Sequence, residues 1–351
     1  MLRKPWWFAS TLATVGMVGL AATSGVVALA VRFVAELTKP HQDYAEAEFA
    51  GILAHAWAVP DPEPEPPLEL QRALHFHAPH GPRLRGDFWA QPHPAPTVVV
   101  CHGYRISRAK LRAVAALEYQ HGCNVLTFDF RAHGESEGGL TSGGIAEIAD
   151  LRAAIDLAAA QPETVPGGVL IHGFSMGAAV ALMTLPHLHV AGVIADSPYA
   201  RLDDILRRLV RWRLTTESSA WDPRLQRLRH VFPGVAWATV ATSSALFRLR
   251  YHHELLARTD QRMRRLSPRQ RQPACMTPLL LIHTTRDGMI PIDHARRIAA
   301  VARLTHIPLV TYFPESDVHC GGYGADPVTY TRILCDFVET YTPFTFARRA
   351  L

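Results

Sequence analysis

In a chain of 351 residues, the stretch LIHGFSMGAA at residues 170 to 179 sets one serine, Ser175, between two glycines. A serine hydroxyl is a weak nucleophile until a base takes its proton, and that base needs a third group to hold its tautomer. Candidates for both lie further along. His319 falls in FPESDVHCGGYGADP, the loop after the last expected strand, and Asp287 falls in HTTRDGMIP, the loop after the strand before it. Ser175, Asp287 and His319 therefore occur in the order nucleophile, acid, base, each after a strand of an alternating α/β pattern. Asp196, in IADSPY, is a rival for the acid, because it also ends a strand. Charge developing on a carbonyl oxygen calls for two N–H donors. Met176, next to the serine, offers one backbone amide, and Tyr104 in CHGYRIS offers the other. The competing readings are structural: a glycine-rich turn at Ser175, a plain strand-ending turn at Tyr104, and histidines that shape backbone, as His102, His133 and His172 do by their places beside turns and glycines.

These side chains converge only if strands and helices bring them to one edge. Gly168 to Ile171 reads as a buried strand and Ala178 to Leu185 as a helix start, so Ser175 belongs on a sharp turn between them. Gly173 and Gly177 fit that turn, because a side chain at either position would collide across it. Further strands are expected at 97–103, 124–130, 190–196, 278–284 and 308–313, with a helix over 145–160. LQRALHFHAP and RLRGDFWAQ, separated by HGP, read as a strand pair joined by a short turn. Apolar strands alternating with helices give an α/β fold, a mostly parallel sheet with helices on both faces. The stretch from Asp196 to Pro278 breaks the alternation. About eighty residues there look helical and hold Trp212, Trp221 and Trp237. From Arg201 to Arg271 they carry sixteen arginines and six acids, while the rest of the chain holds 20 basic and 25 acidic groups. Either this is a helical lid insertion, at about 198–275, above the ligand-binding ends of the strands, or it is a packed helical subdomain with no part in substrate choice.

With 48% hydrophobic residues the chain can bury one large core, which excludes a disordered protein. The opening residues carry Arg3 and Lys4 and then no charge from Pro5 to Val31. That run is long enough to cross a hydrocarbon core about 30 Å thick. Residues 1–40 are therefore either a transmembrane anchor or a signal segment cut near Ala28-Leu29-Ala30. The length of the run and the paired Trp6 and Trp7 favour the anchor. Arg3 and Lys4 before the run, against Arg32 and Lys39 after it, give a weak positive-inside preference for an extracytoplasmic domain; cleavage would make the protein secreted. Residues 41–67 read as a helix and the Pro-rich linker PDPEPEPP, 68–341 as the globular domain, and 342–351 as a tail. Five cysteines without a C-x-x-C leave the redox compartment open. His75, His77 and His80 lack further ligands at metal-site spacing, no phosphate loop is present, and no nucleic-acid motif accompanies the arginines. No cofactor, metal or nucleic acid is expected.

The set CHGY, FDFRAHGESEG, GFSMGAA, IADSPY, HTTRDGMIP and VHCGGYGADPVTY resembles the α/β-hydrolase superfamily over residues 68 to 341. Within it the chain is similar to bacterial membrane-anchored serine hydrolases near the prolyl-oligopeptidase and serine-aminopeptidase branch. The resemblance implies the α/β-hydrolase fold and places nucleophile, acid and base on Ser175, Asp287 and His319. FDFRAHGESEG is similar to the family's D-x-R-G-H-G-x-S turn, with Ala132 where glycine is usual, which implies structural roles for Asp129, His133 and Ser136. The function implied is cleavage of a carboxylic ester or related acyl bond through an acyl-enzyme. The alternatives are a serine peptidase or aminopeptidase, and a non-catalytic binding module. A serine at the nucleophile position excludes relatives that use aspartate there. The expected partners are a small ester or acyl substrate, a membrane reached through the N-terminal segment, and anionic lipid met by the arginine-rich lid.

Overall fold

A computed structural model describes residues 24–39, 71–187, 190–221, 227, 229–265 and 276–344. Most of the apolar N-terminal run, the linker at 41–67, Cys275, the side chain of Trp221 and most of the tail lie outside these residues. Eight strands form one sheet: β1 (Gln71–His77), β2 (Arg83–Trp89), β3 (Ala95–Cys101), β4 (Asn124–Phe128), β5 (Thr164–Phe174), β6 (Gly192–Asp196), β7 (Leu279–Ile282) and β8 (Leu309–Tyr312). Their spatial order is β1-β2-β4-β3-β5-β6-β7-β8. The expected strand pair β1–β2 is antiparallel, as is β2–β4, and every other pairing is parallel.

The inner parallel strands are mostly apolar because both faces are covered. Successive side chains along a strand point to opposite faces. Val98, Val100, Val125, Leu170, Ile194 and Leu280 share one core with helices α2 (Arg112–Gln120) and α10 (Pro327–Tyr341). Their neighbours Val99, Leu126, Ile171, Val193 and Leu281 are equally buried. They face the side where α3 (Glu147–Ala159) and α4 (Met176–Thr184) pack on each other and on β5. Each such side chain contributes about 1.5–3 kcal/mol by leaving water. Helices α7 (Thr259–Met263), α8 (Asp293–Leu304) and α9 (Gly322–Ala325) belong to the same unit. The register aligns Phe174 with Asp196, Asp196 with Ile282, and Ile282 with Tyr312, so the carboxyl ends of β5 to β8 finish level. Loops leaving that row start side by side, which lets residues far apart in sequence meet.

A second compact unit contains Asp203–Leu255 and the chain up to Leu37. It holds α1 (residues 24–38), most of α5 (Leu202–Trp221) and all of α6 (Phe232–Tyr251). Helix α1 buries Ala30, Phe33 and Val34; Ser243 Oγ of α6 donates to the Ala30 carbonyl at 3.3 Å, and Glu36 accepts from Arg32 and from Arg213 of α5. The sequence pattern sets the N-terminal segment and the insertion apart as separate pieces, whereas their helices pack together. The insertion leaves the larger unit after Leu202 and rejoins it at Leu256, and the Leu202 amide donates to the Ala257 carbonyl at 2.9 Å. Among the described residues no helix is long and apolar enough to cross a membrane.

Candidate active site

Strand β5 ends at Phe174 and α4 begins at Met176, two residues earlier than the sequence pattern indicates, leaving Ser175 alone on the turn. Its φ of 51° is in a region that side chains avoid, at roughly 1–3 kcal/mol. Neighbouring backbone holds it there: the Ser175 amide donates to the Asp196 carbonyl at 2.8 Å, and the Ala179 amide donates to the Ser175 carbonyl at 3.0 Å. The two glycines are needed for the reason expected. A Cβ at Gly173 would lie 2.6 Å from the Ala178 nitrogen, and one at Gly177 would lie 2.4 Å from the Cys101 carbonyl oxygen. Met176 opens the helix, so its N–H is among those without an intrahelical acceptor. Gly103, just before Tyr104, comes close enough that a Cβ on it would stand 3.3 Å from that of Ser175.

His319 Nε2 lies 2.9 Å from Ser175 Oγ, and His319 Nδ1 lies 2.6 Å from Asp287 Oδ2. The other oxygen of Asp287 accepts from the Met289 and Ile290 amides, each at 2.8 Å, so both oxygens of the carboxylate are held. The loops carrying acid and base are sewn together. Thr284 Oγ1 donates to the Val318 carbonyl at 2.8 Å, and the Arg286 amide donates to the Ser316 carbonyl at 3.0 Å. Burial pushes the Asp287 carboxyl upward, but the charge and hydrogen bond of His319 and the Ile290 amide outweigh it and hold the group below its ordinary value. Burial opposes a proton on His319; Cys320 and the Asp287 carboxylate outweigh it, so the imidazole titrates above its ordinary value. Of these, the carboxylate carries charge at neutral pH, because burial raises the Cys320 thiol.

A protein-family model described as "Alpha/beta hydrolase family" matches residues 98–323. The chain belongs to the alpha/beta hydrolase family. An uncharacterized protein of Bacillus subtilis (strain 168), YqkD, is 28% identical over 270 residues, spanning 74% of this chain and 76% of that one. Among solved structures, the Pyrococcus furiosus esterase PF2001 is similar at a TM-score of 0.57 and 24% identity, covering 79% of this chain and 94% of its own. An acylaminoacyl peptidase from Pyrococcus horikoshii shares the fold at a TM-score of 0.51 and 13% identity, over 80% of this chain and 42% of that one.

Asp196 of this hydrolase meets different partners. Its Oδ1 accepts from Ser197 Oγ at 2.8 Å and its Oδ2 from the Tyr330 hydroxyl at 3.1 Å. Tyr330 stands 3.2 Å from His172 Nε2, and His172 Nδ1 stands 2.8 Å from Glu118 Oε1. On the other side, the Cys320 amide donates to Ser197 Oγ at 3.2 Å, one residue from His319. All six residues are buried. Burial pushes the Asp196 carboxyl up, against the Ser197 hydrogen bond, the His172 charge and the Tyr330 hydrogen bond. The sequence pattern casts His172 as a backbone-shaping residue and does not single out Tyr330 or Glu118. Their only signal is an ionisable residue within an apolar strand or helix.

The segment carrying Tyr104 is tied down by a second polar cluster. Arg108 donates through Nε to Asp87 at 2.7 Å, through Nη2 to Glu135 at 2.7 Å and through Nη1 to Asp129. Its backbone amide donates to Asp129 Oδ1 at 2.7 Å. Ser136 Oγ donates to the Asp129 carbonyl at 2.6 Å and accepts from the Arg85 amide at 2.9 Å. Ala132 has φ 59°, a conformation that explains why glycine suits this position in similar turns. His102 Nε2 accepts from the Phe130 amide at 2.9 Å, so its Nδ1 carries the proton given to the Gly103 carbonyl at 2.7 Å. Burial lowers its pKa to about 4. His283, just past the end of β7, donates to the Ile290 carbonyl at 2.7 Å and stands 3.6 Å from Asp287, a neighbour of the acid that the sequence does not single out. Among the described residues no group of three or more His, Cys, Asp or Glu is placed to hold a metal ion.

Proposed function

We propose that the protein is a serine hydrolase that cleaves a carboxylic ester or related acyl bond. The reading rests on one observation: a serine strained onto a strand-to-helix turn, 2.9 Å from an imidazole that is itself 2.6 Å from a buried carboxylate. Ser175 Oγ attacks the acyl carbon while His319 Nε2 takes its proton. Asp287 keeps the proton of the neutral imidazole on Nδ1 and stabilises the imidazolium that forms. The amides of Met176 and Tyr104 receive the developing oxyanion. His319 then returns its proton to the leaving group, and water resolves the acyl-enzyme by the same route in reverse. The apolar run from Pro5 to Val31 anchors the chain in a membrane, with this domain on the extracytoplasmic side.

A fluorophosphonate probe together with p-nitrophenyl esters of graded chain length and aminoacyl anilides tests the reading. Ser175 is expected to carry the label, and Ser175→Ala to lose both label and turnover. Unchanged ester turnover in the folded Ser175→Ala variant overturns it. Hydrolysis of the anilides in preference to every ester would make the protein a peptidase.

A further inference from the structure

A helix that buries one face in a protein ordinarily turns charge toward water on the other. Two helices of the smaller unit do not over most of their length. Helix α6 buries Ala236, Thr239, Val240, Ser243 and Phe247, yet its exposed stripe of Trp237, Ala241 and Ala245 is also uncharged, and no charged residue occurs from Phe232 to Phe247. Helix α1 buries Ala30, Phe33 and Val34 and exposes Val27, Ala28 and Val31, with no charge before Arg32. Trp237 and Leu249 are 62% and 76% exposed, and Trp212 of α5 is 51% exposed. Among the described residues of this unit the exposed ionisable groups are nearly all of one sign. Arg208, Arg211, Arg229, Arg248 and Arg250 are exposed, against Glu254 as the exposed acid among the described residues of the unit.

We infer that this unit docks on an anionic phospholipid bilayer. Trp237, Leu249, Trp212 and the outward face of α1 enter the interface, and the arginines meet the headgroups. Three observations select lipid over other occupants. The uncharged run that begins at Pro5 continues into α1 and ends at Val31, so the unit and the proposed membrane segment share residues 24–31. Exposed tryptophans suit the boundary between headgroups and acyl chains. The surplus of arginine complements anionic lipid, where each basic group changes partitioning by roughly fivefold. Arginine alone would suit any polyanion; uncharged helix faces beside it suit a surface that is both apolar and anionic.

The inference rests on the anchoring reading and is independent of the hydrolase chemistry. For the test, the full chain carries Cys275→Ser and an environment-sensitive fluorophore at Trp237→Cys or Leu249→Cys; the cysteines at 101, 123, 320 and 335 are buried. It is reconstituted into neutral or phosphatidylserine-containing vesicles with spin-labelled lipid. Intact mass shows whether residues 1–30 are retained, which separates failure of the anchor from failure of docking. Turnover of a soluble ester in the same samples reports the hydrolase separately. Both labels are expected to be quenched in anionic vesicles, several-fold less in neutral ones, and less as salt rises, because exposed charges are screened beyond about 10 Å at 0.1 M. Arg248→Gln with Arg250→Gln is expected to raise the fraction of anionic lipid needed for half-maximal quenching. Labels left unquenched on an anchored chain overturn the docking, as does fluorescence that follows protein concentration, which signals a second copy on this face. Equal quenching on neutral and anionic vesicles overturns the anionic preference.

Discussion

Asp196 ends β6 and Asp287 stands on the loop after its neighbour β7; both are buried, and they do different work. Asp196 is the last residue of β6, level with Ile282 of β7, so its side chain is confined beneath the row of strand ends. Two hydroxyls bind it there, one from the next residue and one from α10. Asp287 lies five residues past that row, and its loop rises far enough to reach His319 on the loop after β8. Two aspartates that read alike in a linear pattern are thus separated by their height above the sheet. The lower one binds elements together, and the upper one faces the proposed reaction.

Substituting each acid by its amide should break this comparison most sharply. Asp287→Asn retains an oxygen for the Met289 and Ile290 amides but favours the wrong imidazole tautomer, so turnover should fall by about 10³–10⁴-fold with little loss of stability. Asp196→Asn should do the reverse, costing about 1–3 kcal/mol in denaturant unfolding, because an amide nitrogen must face a hydroxyl that was donating. Its turnover should stay within about tenfold of the parent, since the acid that touches His319 is retained. The opposite ranking of the two variants in steady-state kinetics would hand the acid's role to Asp196. A smaller effect is expected from Tyr330→Phe, which deprives Asp196 of one donor and His172 of its acceptor. A stability loss of about 1–3 kcal/mol with ester turnover nearly unchanged is the outcome expected. A large drop in kcat at constant stability would instead join Asp196 to the chemistry. The mildest test is the pH profile. His319 must be neutral to act as base, and its pKa is raised, so kcat/KM should climb with pH through a midpoint above the ordinary value of about 6.5. In Asp287→Asn the residual activity should climb at lower pH, because the carboxylate that holds the proton is gone.

Much of this was legible in the linear pattern, for identifiable reasons. The parallel strands carry mostly apolar residues on both faces, so each of β3 to β8 shows a short apolar run. Gly173 and Gly177 are forced by contacts within a few residues or with the adjacent strand, and such constraints leave a local signature. Glu118, His172 and Tyr330 left only an ionisable residue within an apolar element: they come from a helix, a strand and a second helix, and each is tolerable only because the others are present. Arg108 was hidden likewise, since its carboxylate partners lie on two other segments, Asp87 on β2 and Asp129 and Glu135 in the turn after β4. The packing of α1 on α6 was hidden for another reason. Two weakly patterned helices, whose contacting residues lie more than two hundred positions apart, carry no mark of their pairing.

The buried chain through Asp196 also has a direction. Ser197 and Tyr330 each own a single hydroxyl proton, and both direct it at Asp196. Each oxygen must then receive from behind: Ser197 from the Cys320 amide, and Tyr330 from His172 Nε2. With Nε2 committed as a donor, the 2.8 Å contact between His172 Nδ1 and Glu118 Oε1 needs one proton, on whichever of the two atoms it rests. The carboxylate at 196 is therefore a sink toward which every arrow points, and Glu118 and His172 close the line at its far end, inside the fold and out of reach of solvent.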